Sequence, residues 1–180
     1  MSVSRRGLLY GTAAALAAAA GLGAAWWRHA NGASTGGEPL GTEFWAQRFD
    51  RPEGGQILLE AFRGKPLLIN FWATWCPPCI EELPLVDRFF REHAANGWQV
   101  IGLAIDQPSA VRKFLERAPV TFPIGLAGLQ GTELVKQLGN TQGGLPFTLV
   151  VNRAGRVAAR KVGQLDQAQL DAWNRAQVHG

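Results

Sequence analysis

Residues 67–79 read Leu67-Leu68-Ile69-Asn70-Phe71-Trp72-Ala73-Thr74-Trp75-Cys76-Pro77-Pro78-Cys79, and they hold the only two cysteines of the 180-residue chain. The run 67–72 is apolar except for Asn70 and reads as a buried strand. From Ile80 onward the apolar positions change to helical spacing, at Ile80, Leu83, Val86, Phe89 and Phe90. A Cys-x-x-Cys placed where a strand hands over to a helix is the geometry of thiol–disulfide exchange. Cys76 falls at the helix N-terminus, where unpaired N–H groups and the macrodipole favour a thiolate. Pro77 suits the first helical position, which needs no N–H donor. Cys79 lies one turn on, within reach of a mixed disulfide. Cys76 is thus expected as the exposed nucleophile and Cys79 as the resolving thiol.

Two plainer uses of the pair are weaker. A structural zinc site takes about four ligands, and the chain has no second cysteine pair. A disulfide closing so short a loop would add little stability.

The segment 70–79 resembles the active-site segment of the thioredoxin superfamily, and most closely that of the exported TlpA/ResA-like thiol-disulfide oxidoreductases. The resemblance extends over roughly residues 44–173. It implies an α/β fold, thioredoxin-like, with three α/β/α layers on a mixed central sheet, an extra N-terminal hairpin and a central insertion. No cofactor beyond a Cys76–Cys79 redox disulfide is implied, and no metal.

Composition bounds the rest. Arg5, Arg6 and Arg28 precede the first acidic residue, Glu38; setting those three aside from the 18 basic residues leaves 15 against 14 acidic, a net of +1. No basic stripe with interleaved aromatics remains, so nucleic acid is not an expected partner. Residues 1–27 read as an export signal or membrane anchor: Arg5 and Arg6 lead an uncharged Ala- and Gly-rich stretch, 7–27. The paired arginines before Gly7-Leu8-Leu9 resemble a twin-arginine signal, with Leu8 and Tyr10 departing from the usual pattern. Twenty-one uncharged residues just reach across a hydrocarbon core of about 30 Å. The chain is therefore expected in the periplasm, tethered to the inner membrane by 7–27 unless cleaved near Ala30-Asn31-Gly32. Residues 28–40 read as a flexible linker, and 41–180 as the thioredoxin-like domain.

Along that domain, 44–49 and 56–61 read as a strand pair across the turn signal Arg51-Pro52-Glu53-Gly54-Gly55. A helix is expected from about 77 to 95, kinked at Pro84. A strand at 100–105, a helix at 109–118 capped near Ser109, a strand at 122–126 and a helix at 132–138 follow. Then come a strand at 147–151, a turn at Asn152-Arg153-Ala154-Gly155, a strand at 156–162, and a last helix capped by Asp166. In the superfamily the proline matching Pro146 is cis and packs beside the cysteines. That would turn the Leu145 backbone toward a client strand. Trp75, with Pro77 and Pro78, is expected to line the same groove, while Trp72 belongs to the core.

Thiol chemistry also needs a proton carrier. The superfamily often has an Asp six residues before the first cysteine, where this chain has Asn70, which cannot titrate. The TlpA/ResA branch carries a Glu three residues after the second cysteine, and that position is Glu82. One turn from Cys79, a desolvated Glu82 could exchange protons with it; otherwise it is a solvated charge like Glu81. His29, His93 and His179 are scattered and read as solvated, and Glu60 as a surface charge.

The resemblance implies a thiol-disulfide oxidoreductase that reduces client protein disulfides, cytochrome c haem-site cysteines among them. A membrane thiol electron donor would recharge it. Direction stays open, because oxidants use Cys-x-x-Cys as well. Two other readings stay open. A peroxiredoxin-like peroxidase would want Thr-x-x-Cys, whereas Thr74 lies two residues before Cys76. A copper-binding module would space its cysteines wider and add a histidine.

Overall fold

The computed structural model describes residues 37–178. The export segment expected at 1–27 and most of the linker expected at 28–40 lie outside the described residues. Residues 37–40 are not free: Leu40 N–H donates to the Gly155 carbonyl (3.0 Å), Val157 N–H to the Glu38 carbonyl (2.9 Å), and Arg160 pairs with the Glu38 carboxylate. No helix among the described residues is long and apolar enough to cross a membrane.

The chain runs α1 (Thr42–Trp45), β1 (Arg48–Asp50), β2 (Gln56–Leu58), a 3-10 turn (Leu59–Phe62), β3 (Leu67–Trp72), α2 (Pro77–His93), a second 3-10 turn (Ala94–Asn96) and β4 (Gln99–Ala104). It continues with α3 (Pro108–Arg117), β5 (Ile124–Leu126), α4 (Gln130–Gln137), β6 (Phe147–Val151), β7 (Val157–Val162) and α5 (Gln167–Val178). The seven strands form one sheet in the order β2-β1-β5-β4-β3-β6-β7. β3, β4 and β5 are parallel, and the other pairings are antiparallel, so the sheet is mixed as expected.

Alternation along β3 sorts the core. Leu67, Ile69 and Phe71 point to one face, against Phe44 and Trp45 of α1 and Leu134, Val135 and Leu138 at α4. Leu68 and Trp72 point to the other, against Leu83, Val86 and Phe89 of α2, Val111 and Phe114 of α3, and Leu170 of α5. All six residues of β3 are buried, which puts the end of the strand, and hence Cys76, in the middle of the sheet.

Three local expectations change. The N-terminal strand pair is real, Phe49 opposite Ile57, but residues 42–45 are a short helix that buries Phe44 and Trp45 before β1 begins. Ser109 does not cap α3; Gln107 holds the N-cap position without a side-chain bond, and Pro108 opens the helix. His93 is half-buried rather than fully solvated: its ring lies 4.8 Å from that of Phe89, and its Nδ1 is buried. Pro84 lies inside α2, which runs on past it to His93. Asp166 does cap α5, its Oδ1 accepting the Gln169 N–H at 2.8 Å.

Candidate active site

The loop between β3 and α2 is held from both sides. Ile105 N–H donates to the Trp72 carbonyl (2.8 Å), carrying the β3–β4 pairing one residue past the strands. Cys76 N–H donates to the Ala73 carbonyl (3.2 Å), closing a turn that leaves Trp75 65% exposed above a fully buried Ala73. Cys76 is the N-cap of α2 with an extended backbone and no side-chain cap, and Pro77 opens the helix. Pro77 and Pro78 bring no N–H to the first turn, and the Cys79 N–H donates to the Cys76 carbonyl (3.1 Å), so it is the dipole of α2, not free N–H groups, that favours negative charge on the Cys76 sulfur.

Cys76 and Cys79 are joined as a disulfide. Cys76 is 5% exposed and Cys79 fully buried, so Cys76 is the more accessible, yet far less open than an exposed nucleophile suggests. In the disulfide its side chain turns inward to Cys79 and belongs to the apolar cluster that includes Ala73 and Leu83. Pro77 is exposed and Pro78 half-buried. The Leu145–Pro146 bond is cis, and the Pro146 carbonyl accepts the Gly163 N–H at 2.8 Å. Leu145 packs against the cluster that holds both cysteines.

Glu82 shares the buried side of α2 with Cys79 and is only 1% exposed, so it is no solvated helix charge. Its Oε1 accepts from Asn70 Nδ2 (2.7 Å) and its Oε2 from the Leu165 N–H (2.7 Å). Burial raises its pKa above the ordinary 4.5, and the two hydrogen bonds and the positive charge of Lys161 pull back against that. Its neighbour Glu81 is exposed and meets Gln164 instead. Glu60 is exposed and pairs with Arg63. Among the described residues no group of three or more His, Cys, Asp or Glu could hold a metal ion.

The site also contains residues the motif did not point to. Asp106, just past β4, accepts both the N–H and the hydroxyl of Thr74. Thr148 is the one polar residue of β6; its hydroxyl lies 3.1 Å from Asn70 Nδ2. A lone polar residue in an apolar strand was the available signal for Thr148; nothing local marked Asp106.

Comparison with known proteins agrees with this geometry. A Redoxin family profile matches residues 41–174. The thiol-disulfide oxidoreductase ResA of Bacillus thuringiensis subsp. konkukian is 30% identical over 122 residues, 67% of this chain and 68% of that protein. Among solved structures, a thioredoxin-related protein from Neisseria meningitidis serogroup B is 27% identical, with a TM-score of 0.64 over 73% of this chain and 99% of that one. StoA from Bacillus subtilis is 26% identical, with a TM-score of 0.58 over 71% and 95%. The chain belongs to the Redoxin family and is a thiol-disulfide oxidoreductase of the ResA type.

Proposed function

We propose that this Redoxin-family oxidoreductase is an exported reductant of client protein disulfides, with Cys76 as nucleophile, Cys79 as resolving thiol and Glu82 as proton carrier. The observation that carries the proposal is the Cys76–Cys79 disulfide at the N-terminus of α2, above a buried carboxyl on the same helix.

In the reduced protein, the Cys76 thiolate attacks one sulfur of a client disulfide and expels the other as a client thiolate. The Cys79 thiol passes its proton to ionised Glu82, and its thiolate attacks the Cys76 sulfur of the mixed disulfide. The Cys76–Cys79 bond forms and the second client sulfur leaves. Two electrons have passed to the client. A dithiol donor at the membrane returns them by the same exchange in reverse, with Glu82 giving its proton back to Cys79.

Trp75, Pro77 and Pro78, next to Cys76 in the chain, and the Leu145–Pro146 backbone, whose Leu145 packs against the cysteine cluster, would carry the client contacts; main-chain pairing there would be indifferent to client sequence. Residues 1–27 would export the chain and, uncleaved, hold the domain at the periplasmic face of the inner membrane.

Equilibrating the Cys76–Cys79 pair against a thiol buffer tests the direction. A potential near that of thioredoxin, about −270 mV, is expected of a reductant; one near −120 mV would make the protein an oxidant and overturn the assignment. Cys76→Ser should abolish turnover of a disulfide client.

A further inference from the structure

Glu82 lies over a row of polar side chains that crosses three strands. Asn70 of β3 is directly opposite Thr148 of β6, and Thr148 is directly opposite Lys161 of β7. Residues paired in this way share a face of the sheet. It is the α2 face, because Leu68 and Val150, flanking the row, pack there with Leu83 and Val86. Asn70 and Thr148 are fully buried, whereas Lys161 is half-buried at the outer strand. In a sheet whose central strands are otherwise apolar, buried polar groups need a reason to be there.

The hydrogen-bond inventory of Asn70 supplies one. Its Nδ2 has two hydrogens, and the two acceptors within reach are Glu82 Oε1 and Thr148 Oγ1. Its Oδ1 is buried without a partner. This arrangement suits an ionised Glu82, which only accepts. A protonated Glu82 still accepts but also has one hydrogen to donate. Turning the Asn70 amide over then presents Oδ1, whose two lone pairs accept from the Glu82 and Thr148 hydroxyls together. Turned over, however, the amide would bury its two Nδ2 hydrogens where Oδ1 now has no partner, so Asn70 as it lies favours the ionised form. An Asp here would set a second carboxyl against Glu82, and the two would titrate as a coupled pair.

The far end of the row acts by charge. Lys161 attracts the ionised form of Glu82 from across Thr148. The other charged groups nearby are committed elsewhere: Glu81 is exposed and meets Gln164, Asp166 caps α5, and Asp87 holds Thr121 and Arg91. From the loop after β7 the contact is the neutral Leu165 N–H.

We propose that Asn70 and Lys161, the two ends of this row, are positioning residues that set when Glu82 releases and takes back its proton. The inference rests on the proton role proposed for Glu82. It adds which residues tune that role and in which direction.

The test is a pH titration of the Glu82 carboxyl band by infrared difference spectroscopy on the full oxidised chain, the band being identified by its loss in Glu82→Gln. Both residues favour the ionised form, so removing either should move the midpoint up. Asn70→Ala should raise it by about one pH unit, the size of one lost charge-assisted hydrogen bond. Lys161→Met should raise it less, because the charge is half-exposed and partly screened, and Lys161→Arg should restore it. Lys161 lies on an outer strand, so Lys161→Met decides the matter should Asn70→Ala fail to fold. A midpoint that stays in place in Lys161→Met overturns the proposal. If the midpoint moves as expected but Glu82→Gln exchanges disulfides like the wild type at every pH, the proton role fails and the tuning by the row stands. If exchange depends on Glu82 but its midpoint ignores both ends of the row, the reverse holds.

Discussion

Asp106 is bonded to Thr74 twice, its Oδ2 lying 2.8 Å from the Thr74 backbone nitrogen and 2.5 Å from the Thr74 hydroxyl. Its other oxygen accepts the N–H of Gln107 at 2.7 Å. One carboxylate therefore joins the loop that delivers Cys76 to the turn that follows β4. Hydrogen bonds to a charged group contribute about 1.5–3 kcal/mol each when shielded, and these are only part-buried. Asp106→Ala should cost about 2 kcal/mol in all, a fall in Tm of several degrees, and should slow exchange at Cys76. Asp106→Asn can keep its oxygen on Thr74 and lose only the Gln107 bond, so its Tm and rate should fall between the two. Equal losses in both variants would mean that charge, not the tether, is what the site uses.

The raised pKa of Glu82 has a signed consequence for stability. Between 4.5 and the folded-state value, the folded chain binds more protons at this residue than the unfolded chain does. Stability is then fully present below 4.5 and falls as pH rises through the folded-state value, after which it is level. Glu82→Gln cannot ionise, so the stability of the variant relative to the wild type should climb across that window and stop. Urea midpoints at a series of pH values measure it. A difference independent of pH would show that Glu82 titrates normally.

Much of this was legible because it is local. The apolar run 67–72 and the change to helical spacing at Ile80 define β3 and α2, and one cysteine pair fixes the site between them. Glu82 was found through the resemblance, which carries a Glu three residues after the second cysteine; its place one turn beyond Cys79 agreed with that. Asp106 was not, because Thr74 is 32 residues distant in sequence and a lone acid after a strand looks like any loop charge. Lys161 was missed for a similar reason: only the β6–β7 register puts it opposite Thr148. The helix at 42–45 was missed because four residues are too few to show a period. Contacts made by tertiary register carry no local signature.

Trp75 and Trp72 are three residues apart and should behave oppositely. Trp75 is 65% exposed beside the sulfur, whereas Trp72 is fully buried between α2 and α3 with its ring 5.3 Å from that of Phe114. Trp75→Ala should leave stability within about 0.5 kcal/mol of the wild type while raising KM for a protein client. Its turnover of a small disulfide should hardly change. Trp72→Ala should cost about 3–5 kcal/mol. A Trp75→Ala protein with unaltered KM would remove Trp75 from the client surface.

Gly102 shows how closely the sheet is built around Trp72. It sits at the middle of β4, opposite Asn70 on one side and Ile124 on the other. A Cβ there would lie 2.6 Å from Ile124 Cδ1, 2.9 Å from Phe122 Cε2 and 3.1 Å from Trp72 Nε1. The Ile124 methyl can swing aside, but Phe122 and Trp72 are rings packed in the same core. Gly102→Ala should therefore destabilise by about 1–3 kcal/mol, as overpacking does. Because the strand under Trp72 also leads to Cys76, exchange should slow with it. Trimming the nearest atom tests the cause: Ile124→Val removes Cδ1, so Gly102→Ala with Ile124→Val should recover part of the loss, a coupling that thermal melts of the four proteins would reveal. Simple additivity of the two substitutions would mean that the penalty comes from Trp72 and Phe122 alone.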